Sequence, residues 1–317
     1  MTDSLRSTVT SQRLRNIQPV MSNLPCQKCS HPAAHYFRTK DYNRRISDAP
    51  FDYYRCGKCG FIFLSSVPAD LARYYPAGYY EIPETVDELA ARAEAMQGWK
   101  LDTVTGLVPR GRLLEVGPAY GLFSFLAKRA GFDVTAIEMD SRCCHFLRET
   151  VGIDVVEDPD TIRALQKLPL FDVIVLWQVI EHLADPWAVI SAAAQRLAPG
   201  GVLILDTPNP DSFQFRLLGR YWTHVDAPRH VALIPAPLLV SFATDVGLKP
   251  VLLTASDKGA NGFNSFGWAF SLKNLFRGRV SGAIAHLTGR VINKCLIPIE
   301  RTGWRGSTYT AAFRKES

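Results

Sequence analysis

Four cysteines in two pairs, Cys26-Gln27-Lys28-Cys29 and Cys56-Gly57-Lys58-Cys59-Gly60, are the first residues whose type and spacing could do chemistry. Two Cys-x-x-Cys knuckles supply four thiolates, the donor set of a tetrahedral Zn²⁺ site. Gly57 and Gly60 suit knuckle turns, where backbone amides bend toward sulfur and a residue needs positive φ. Four thiolates close the coordination shell, which predicts a structural metal that supplies folding energy to a small module. His31 and His35 lie near enough in sequence to compete as ligands. Three further cysteines, Cys143, Cys144 and Cys295, bring the total to seven. An odd number with paired spacing fits a reducing compartment and a metal better than a disulfide framework.

A second constellation begins at Leu113-Leu114-Glu115-Val116-Gly117-Pro118-Ala119-Tyr120-Gly121, an apolar strand running into a glycine-flanked turn. Glycines there let backbone approach a ligand closely. The next apolar run, Val134-Thr135-Ala136-Ile137-Glu138, ends in an acid about 20 residues past Gly117, and a carboxylate so placed can accept from both hydroxyls of a ribose. NAD-type turns use Gly-x-Gly-x-x-Gly to meet a pyrophosphate at a helix N-terminus. Pro118 and Ala119 stand at the middle positions here, so the turn suits a nucleoside ligand without phosphate, such as S-adenosylmethionine (SAM).

A third group holds candidates for proton transfer. Glu181-His182 follows an apolar run, and Trp222-Thr223-His224-Val225-Asp226-Ala227-Pro228-Arg229-His230 packs two His, an Asp and an Arg into one segment. A hydroxyl that becomes a nucleophile must lose its proton, which His or carboxylate can assist. Glu181 and His182 read either as part of this machinery or as shapers of a turn. The 222–230 segment reads either as a site loop or as a polar surface loop. His230 is the favoured base, supported by Asp226 and His224, with His182 as second candidate.

These residues need elements to hold them. Residues 112–116, 133–138, 154–157, 172–177 and 202–206 read as buried parallel strands. Residues 122–130, 141–150, 186–197 and 236–246 read as the helices between them, and Val86–Leu107 as a helix before the first strand. The alternation predicts an open, doubly wound α/β sheet. Ligands of such sheets bind beyond the carboxyl ends of the strands, where the second and third groups fall. The expected organisation is a tail over 1–24, a zinc-ribbon module over 25–66, a linker and helix over 67–110, and the main domain over 111–317.

At this point a resemblance becomes specific. Glu115 to Gly121 resembles motif I of class I SAM-dependent methyltransferases, with Ala119 where a middle glycine is usual. Ala136-Ile137-Glu138-Met139-Asp140 resembles the motif that follows it. Phe171 to Leu183 is similar to the fourth strand and turn of the group related to ubiquinone-biosynthesis O-methyltransferases. The resemblance is good over residues 111–256. A zinc ribbon followed by the Tyr-rich stretch Tyr74-Tyr75…Tyr79-Tyr80 is similar, more loosely, to methyltransferases of bacterial sugar and cell-surface glycan modification. It implies a Rossmann-like sheet of seven strands, the last antiparallel, behind a small zinc ribbon. It also implies that Glu115, Gly117 and Gly121 line the methionine part of SAM, that Glu138 binds the ribose, that Met139 packs beside the adenine, that Asp158 faces the adenine amino group, and that Gln178 stands at the edge of the methyl-donor site.

The implied activity is methyl transfer to a small-molecule acceptor, a hydroxyl of a sugar, sugar nucleotide or lipid-linked glycan. Two other readings stand beside it: an RNA methyltransferase with an RNA-gripping ribbon, and a non-catalytic SAM-binding scaffold. Charge speaks against nucleic acid. The chain is +6, but residues 261–317 hold nine Lys or Arg against two Glu, leaving 27 basic against 28 acidic residues elsewhere. No Asn-Pro-Pro-Tyr turn follows the fourth strand, as it does in exocyclic-amine methyltransferases, and no cysteine ends a strand for a covalent cytosine mechanism.

The basic C-terminal segment carries apolar residues at helical spacing, among them Trp268, Leu272, Leu275, Phe276, Val280, Ile284, Leu287 and Val291. Over about 263–300 it reads as helices covering the sheet or as an interfacial element that meets anionic lipid. With no apolar run of spanning length and no signal-like N-terminus, the expected location is the cytoplasm, with peripheral contact at the inner membrane surface as the sharper alternative.

Overall fold

Secondary structure follows the sequence pattern closely in the computed structural model, which describes residues 23–76, 78–276 and 278–316. The tail expected over 1–24 lies outside the described residues as far as residue 22. Four short strands come first: β1 (Leu24–Pro25), β2 (Pro32–Thr39), β3 (Phe51–Cys56) and β4 (Ile62–Leu64). Helix α1 (Val86–Leu107) is capped by Thr85, whose hydroxyl accepts from the Glu88 amide at 3.1 Å, with Asp87 and Glu88 complementing the helix dipole. Then strands and helices alternate: β5 (Arg112–Val116), α2 (Leu122–Arg129), β6 (Asp133–Glu138), α3 (Ser141–Phe146), β7 (Asp154–Glu157), α4 (Thr161–Lys167), β8 (Phe171–Trp177) and α5 (Pro186–Arg196). The chain continues through β9 (Leu197–Pro208), α6 (Phe213–Leu218), β10 (Ala232–Leu233), α7 (Ala236–Asp245), β11 (Leu248–Thr254), α8 (Lys258–Asn274), α9 (Arg279–Glu300) and β12 (Thr308–Lys315).

The main sheet has the order β11-β12-β9-β8-β5-β6-β7. Its five central and edge strands β9, β8, β5, β6 and β7 run parallel, while β12 is antiparallel to both neighbours. The chain winds outward from β5 to β7 and then returns to β8 on the other side. The crevice beyond the carboxyl ends of β5 and β8 is therefore the topological switch point where such sheets take ligands.

Two boundaries differ from the sequence reading. The helix expected over 141–150 is regular only to Phe146 and then widens into a π-turn, Leu147–Val151, closed by the Gly152 amide donating to the Leu147 carbonyl at 2.8 Å. The fifth strand runs Leu197–Pro208, longer than 202–206, because Leu197 pairs with Phe171 of β8 at one end and β12 pairs with it out to Pro208 at the other.

The ribbon is not an appendage. Its sheet, ordered β1-β2-β3-β4-β10, takes its last strand from the main domain. Phe61 of the ribbon is fully buried against Trp187 of α5, with ring centroids 5.2 Å apart. Ribbon side chains thus share one apolar core with α5, α7 and one face of the main sheet, while α1 and α2 cover the other face. Truncating Phe61 to Ala should cost about 3–5 kcal/mol and lower the melting of the whole molecule. Far-UV and tryptophan signals are expected to melt together; an early ribbon transition that leaves the main domain folded would contradict the shared core.

Candidate functional site

The four knuckle sulfurs converge. Cys26, Cys29, Cys56 and Cys59 place their Sγ atoms within 4.8 Å of one another. The closest pairs are Cys29–Cys56 at 3.6 Å, Cys26–Cys59 at 3.7 Å and Cys29–Cys59 at 3.8 Å. A tetrahedron with Zn–S of about 2.3 Å has edges of roughly 3.8 Å, so the cluster fits the ion. Backbone amides of Lys28 and Cys59 point at the Cys26 and Cys56 sulfurs from 3.4 and 3.5 Å. His35 is not a competing ligand, because its Nε2 pairs with Asp52 at 2.8 Å.

The second constellation lines the switch-point crevice. Gly117 has φ +67°, and a Cβ there would lie 2.9 Å from Val179; Gly121 has φ +80°, and a Cβ there would lie 2.4 Å from Leu147. Both positions therefore require glycine for conformation and for space. Ala119 also takes positive φ, at 53°. The turn brings its amide to Glu138 Oε2 at 3.0 Å, while Oε1 accepts from the Met139 and Asp140 amides at 2.7 and 2.9 Å. Burial raises the Glu138 pKa despite these donors. Met139 beside it stands 67% exposed at the mouth of the crevice, unusual for so apolar a side chain. Asp158 follows β7 next to Glu138, but its carboxylate is turned to Arg163, with Nε at 3.0 Å, which holds its pKa down to about 2.

Deeper in the crevice, beside the expected Glu115 and Gln178, sit two residues that sequence reasoning missed, Asp206 and Lys100. Glu115 is buried and accepts from Ser124 Oγ at 2.5 Å. Asp206, at the end of β9, is fully buried and accepts from Gln178 Nε2 and from Thr310 Oγ1. Gln178 itself is held at φ 57° just past β8. Lys100 of α1 reaches in over Trp177, 5.0 Å from the ring centroid. Desolvation dominates all three ionisable groups. It raises Glu115 and Asp206 to about 7 and lowers Lys100 to about 8, while their mutual attraction opposes the shifts. An apolar run ending in a polar residue marks Asp206 in the sequence; nothing local marks Lys100.

The third constellation gathers into one largely buried cluster. His182 and His230 meet edge to face with ring centroids 4.6 Å apart. The His230 Nδ1–H donates to the His224 carbonyl at 2.8 Å, while the His182 Nδ1 lies 3.1 Å from the Arg229 carbonyl and 3.0 Å from the Tyr75 hydroxyl. A carbonyl only accepts, so the neutral His230 ring carries its lone pair on Nε2. His230 Nε2 faces Asp226 Oδ2 at 3.9 Å. Burial, then His182, lowers the His230 pKa to about 3. Glu181 is fully buried, one oxygen accepting from Thr207 Oγ1 at 3.0 Å and the other without a partner, and burial raises it to about 8. Glu181, His182 and His230 each offer a ligand-type atom within 4.8 Å of the others, able to hold a proton or a cation. His224 enters through its carbonyl; its ring donates to Phe263 instead, at 3.3 Å.

Asp226 is the hinge of this cluster. Burial opposes its charge, yet Arg229, His230 and Asn43 hold it at about 2. Arg229 is completely buried and donates to Asp226 and, at 2.8 Å, to Asp41 of the ribbon. Asn43 of the ribbon donates to Asp226 at 2.5 Å, and Tyr53 donates to the His230 carbonyl at 2.6 Å.

Sequence comparison now decides the family: residues 80–253 match the family described as the methyltransferase domain. The chain belongs to that family. A ubiquinone biosynthesis O-methyltransferase of Xanthomonas campestris is 34% identical over 134 residues, covering 39% of this chain and 56% of the relative. One of Cereibacter sphaeroides is 30% identical over 173 residues, covering 51% of this chain and 68% of the relative. The chain thus spans little more than half the length of the first curated relatives it matches. A solved structure proposed to be a sarcosine dimethylglycine methyltransferase of Galdieria sulphuraria has a TM-score of 0.50 at 16% identity, covering 74% of this chain and 91% of that one, a likeness of fold. The methyltransferase domain contains both Glu115 and Glu138 and the Glu181-His182 turn.

Glu115 generates a test. Its folded pKa of about 7 lies above the ordinary 4.5, so the folded chain keeps a proton that the unfolded chain releases. Rising pH across that window therefore costs wild-type stability, and Glu115→Gln removes the cost. In thermal melts of ligand-free protein, the variant's advantage is expected to grow from pH 4.5 to about 7 and then level off. A pH-independent difference would contradict a buried, neutral carboxyl.

Proposed function

We propose that the protein transfers the methyl group of SAM to a hydroxyl of a small-molecule acceptor, a sugar, sugar nucleotide or lipid-linked glycan. The observation that carries this reading is a glycine turn bonded to Glu138 in the methyltransferase domain of a chain whose loops also hold a buried histidine, His230, with its Nε2 lone pair uncommitted. When bound, the donor supplies an already activated methyl group, so the protein's work is alignment and proton removal.

Glu138 accepts from the ribose hydroxyls, with Met139 packing at the base and Asp158 near the adenine edge. Gly117 and Gly121 keep the turn close to the ligand. Glu115 and Asp206 offer acceptors to an ammonium, Lys100 a donor to a carboxylate, and Gln178 borders the methyl. SAM carries both an ammonium and a carboxylate on its methionine part, so mixed charge at the crevice floor suits it. His230 takes the acceptor's proton on Nε2. Asp226 answers the charge that then develops on the ring, and His182 positions it. A hydroxyl acceptor fits because a neutral, desolvated imidazole can only help where a proton must leave. Cys26, Cys29, Cys56 and Cys59 hold a structural Zn²⁺.

Purified protein should bind SAM with micromolar affinity, about −8 kcal/mol, and Glu138→Ala should weaken this strongly in calorimetry. Binding of NADH in place of SAM would overturn the reading. His230→Ala should lower turnover by roughly 10²–10⁴-fold with SAM affinity nearly unchanged, and His182→Ala should do less. If the order is reversed, the Glu181-His182 pair takes the base role. Elemental analysis should find about one zinc per chain. Cys56→Ser should lose it and reduce turnover through Asp41, Asn43 and Tyr53, while SAM binding persists; metal-free protein with full turnover would refute this coupling.

A further inference from the structure

Helix α9 turns the wrong face to the protein for an ordinary amphipathic helix. Its buried residues are Gly282, Ala285, Gly289, Asn293 and Glu300, none of them a large apolar side chain, and a Cβ on Gly289 would lie 2.5 Å from the Trp268 carbonyl oxygen of α8. The two helices therefore pack through small side chains. The large apolar residues point away: Val280 is 75% exposed, Ile284 61%, Leu287 60% and Val291 60%. Their spacing of four, three and four residues places them in a stripe about 60° wide. Leu275 and Phe276 extend it, exposed at the hairpin turn. Scattered exposed apolar residues are ordinary; a continuous stripe marks a surface that is covered in use.

The charges say by what. From Lys258 to Ile299 the sequence holds six Lys or Arg and no Asp or Glu. On the helical wheel Arg279, Arg290 and Lys294 lie along one flank of the stripe, all exposed. A second copy packed on this face would bring basic rows together with no acid to answer them. An apolar stripe edged by basic residues is instead the pattern of a helix lying in a lipid interface, with its cations at the headgroups. No helix among the described residues is long and apolar enough to cross a membrane, so this surface would lie on one.

We propose that the α8–α9 hairpin docks the protein on an anionic phospholipid surface. Docking needs no methyl acceptor, so it stands or falls apart from the reading of the crevice. The test is cosedimentation of the full chain with vesicles of phosphatidylglycerol and phosphatidylcholine in equal parts, and with phosphatidylcholine alone. Wild type is expected to bind the mixed vesicles, bind the neutral ones far less, and come off in high salt. Ile284→Asp with Leu287→Asp should weaken binding by roughly tenfold or more. Arg290→Glu with Lys294→Glu should abolish the preference for anionic lipid. Unchanged SAM binding checks that each variant is folded. Absence of vesicle binding by wild type, or undiminished binding by both variants, would overturn the proposal. So would light scattering that shows a dimer dissociated by Leu287→Asp, since the face would then belong to a second copy.

Discussion

A guanidinium with no exposed surface constrains everything around it, and Arg229 is such a group. An uncompensated charge in the interior costs several kcal/mol, so Arg229 can be buried only where carboxylates meet it on all sides. Asp226 lies three residues back in the same loop, and Asp41 comes from the ribbon, 188 positions away in sequence. The ion pair therefore requires the ribbon to be folded against the loop. The loop backbone in turn fixes His182, through the Arg229 carbonyl, and His230, through the His224 carbonyl. One buried charge thus ties the ribbon to the placement of both histidines.

Burial against charge is also the theme of the donor crevice. Glu115, Asp206 and Lys100 are each pushed toward neutrality by desolvation, and each is partly restored by the others. A set of groups balanced near neutral pH responds strongly to an incoming charged ligand, because binding replaces the lost water with a partner. Glu138 differs in kind. Three backbone amides hold it in place, so its orientation is fixed by the fold itself. The crevice combines a fixed acceptor at one end with adaptable charges at the other.

How much of this was legible depended on whether the cause was local. The parallel strands announced themselves because a strand buried on both faces must be apolar throughout, and β5 and β6 begin and end where the pattern says. Gly117, Gly121 and Glu138 were readable because a turn and a strand end fix their places. The four cysteines were readable because ligand spacing is itself geometry. Asp41, Asn43 and Tyr53 were not, since each acts on a loop some 170 or more residues distant and looks in sequence like any ribbon residue. Lys100 was missed because nothing in helix α1 distinguishes a lysine that points into the crevice from one that points into water. The amphipathic pattern over 263–300 was visible, but not that small residues would take the packing face. That choice is made by how closely α8 and α9 approach.

The surroundings of residues 222–230 are consequently a composite. Asn43 of the ribbon touches Thr223 and Asp226, and Asn274 at the end of α8 donates to Asn43 at 2.7 Å. Ser271 of α8 accepts from the Thr223 amide at 2.8 Å, and Arg45 of the ribbon donates to the carbonyls of Asn274 and Phe276. Ribbon, loop and hairpin therefore close one ring of contacts around residues 222–230, whereas the crevice at Glu115 and Glu138 is built from strand ends, the turn after β5, α1 and α2. A parallel sheet fixes where a cofactor sits, and its loops and insertions are free to vary what is brought to it. In this chain the three variable parts are bonded to each other more than any is to the donor crevice. The hairpin that carries the exposed stripe is thereby joined to the loop bearing His230 both directly, through Ser271 and the Thr223 amide, and through Asn43, so α9 and His230 share one frame.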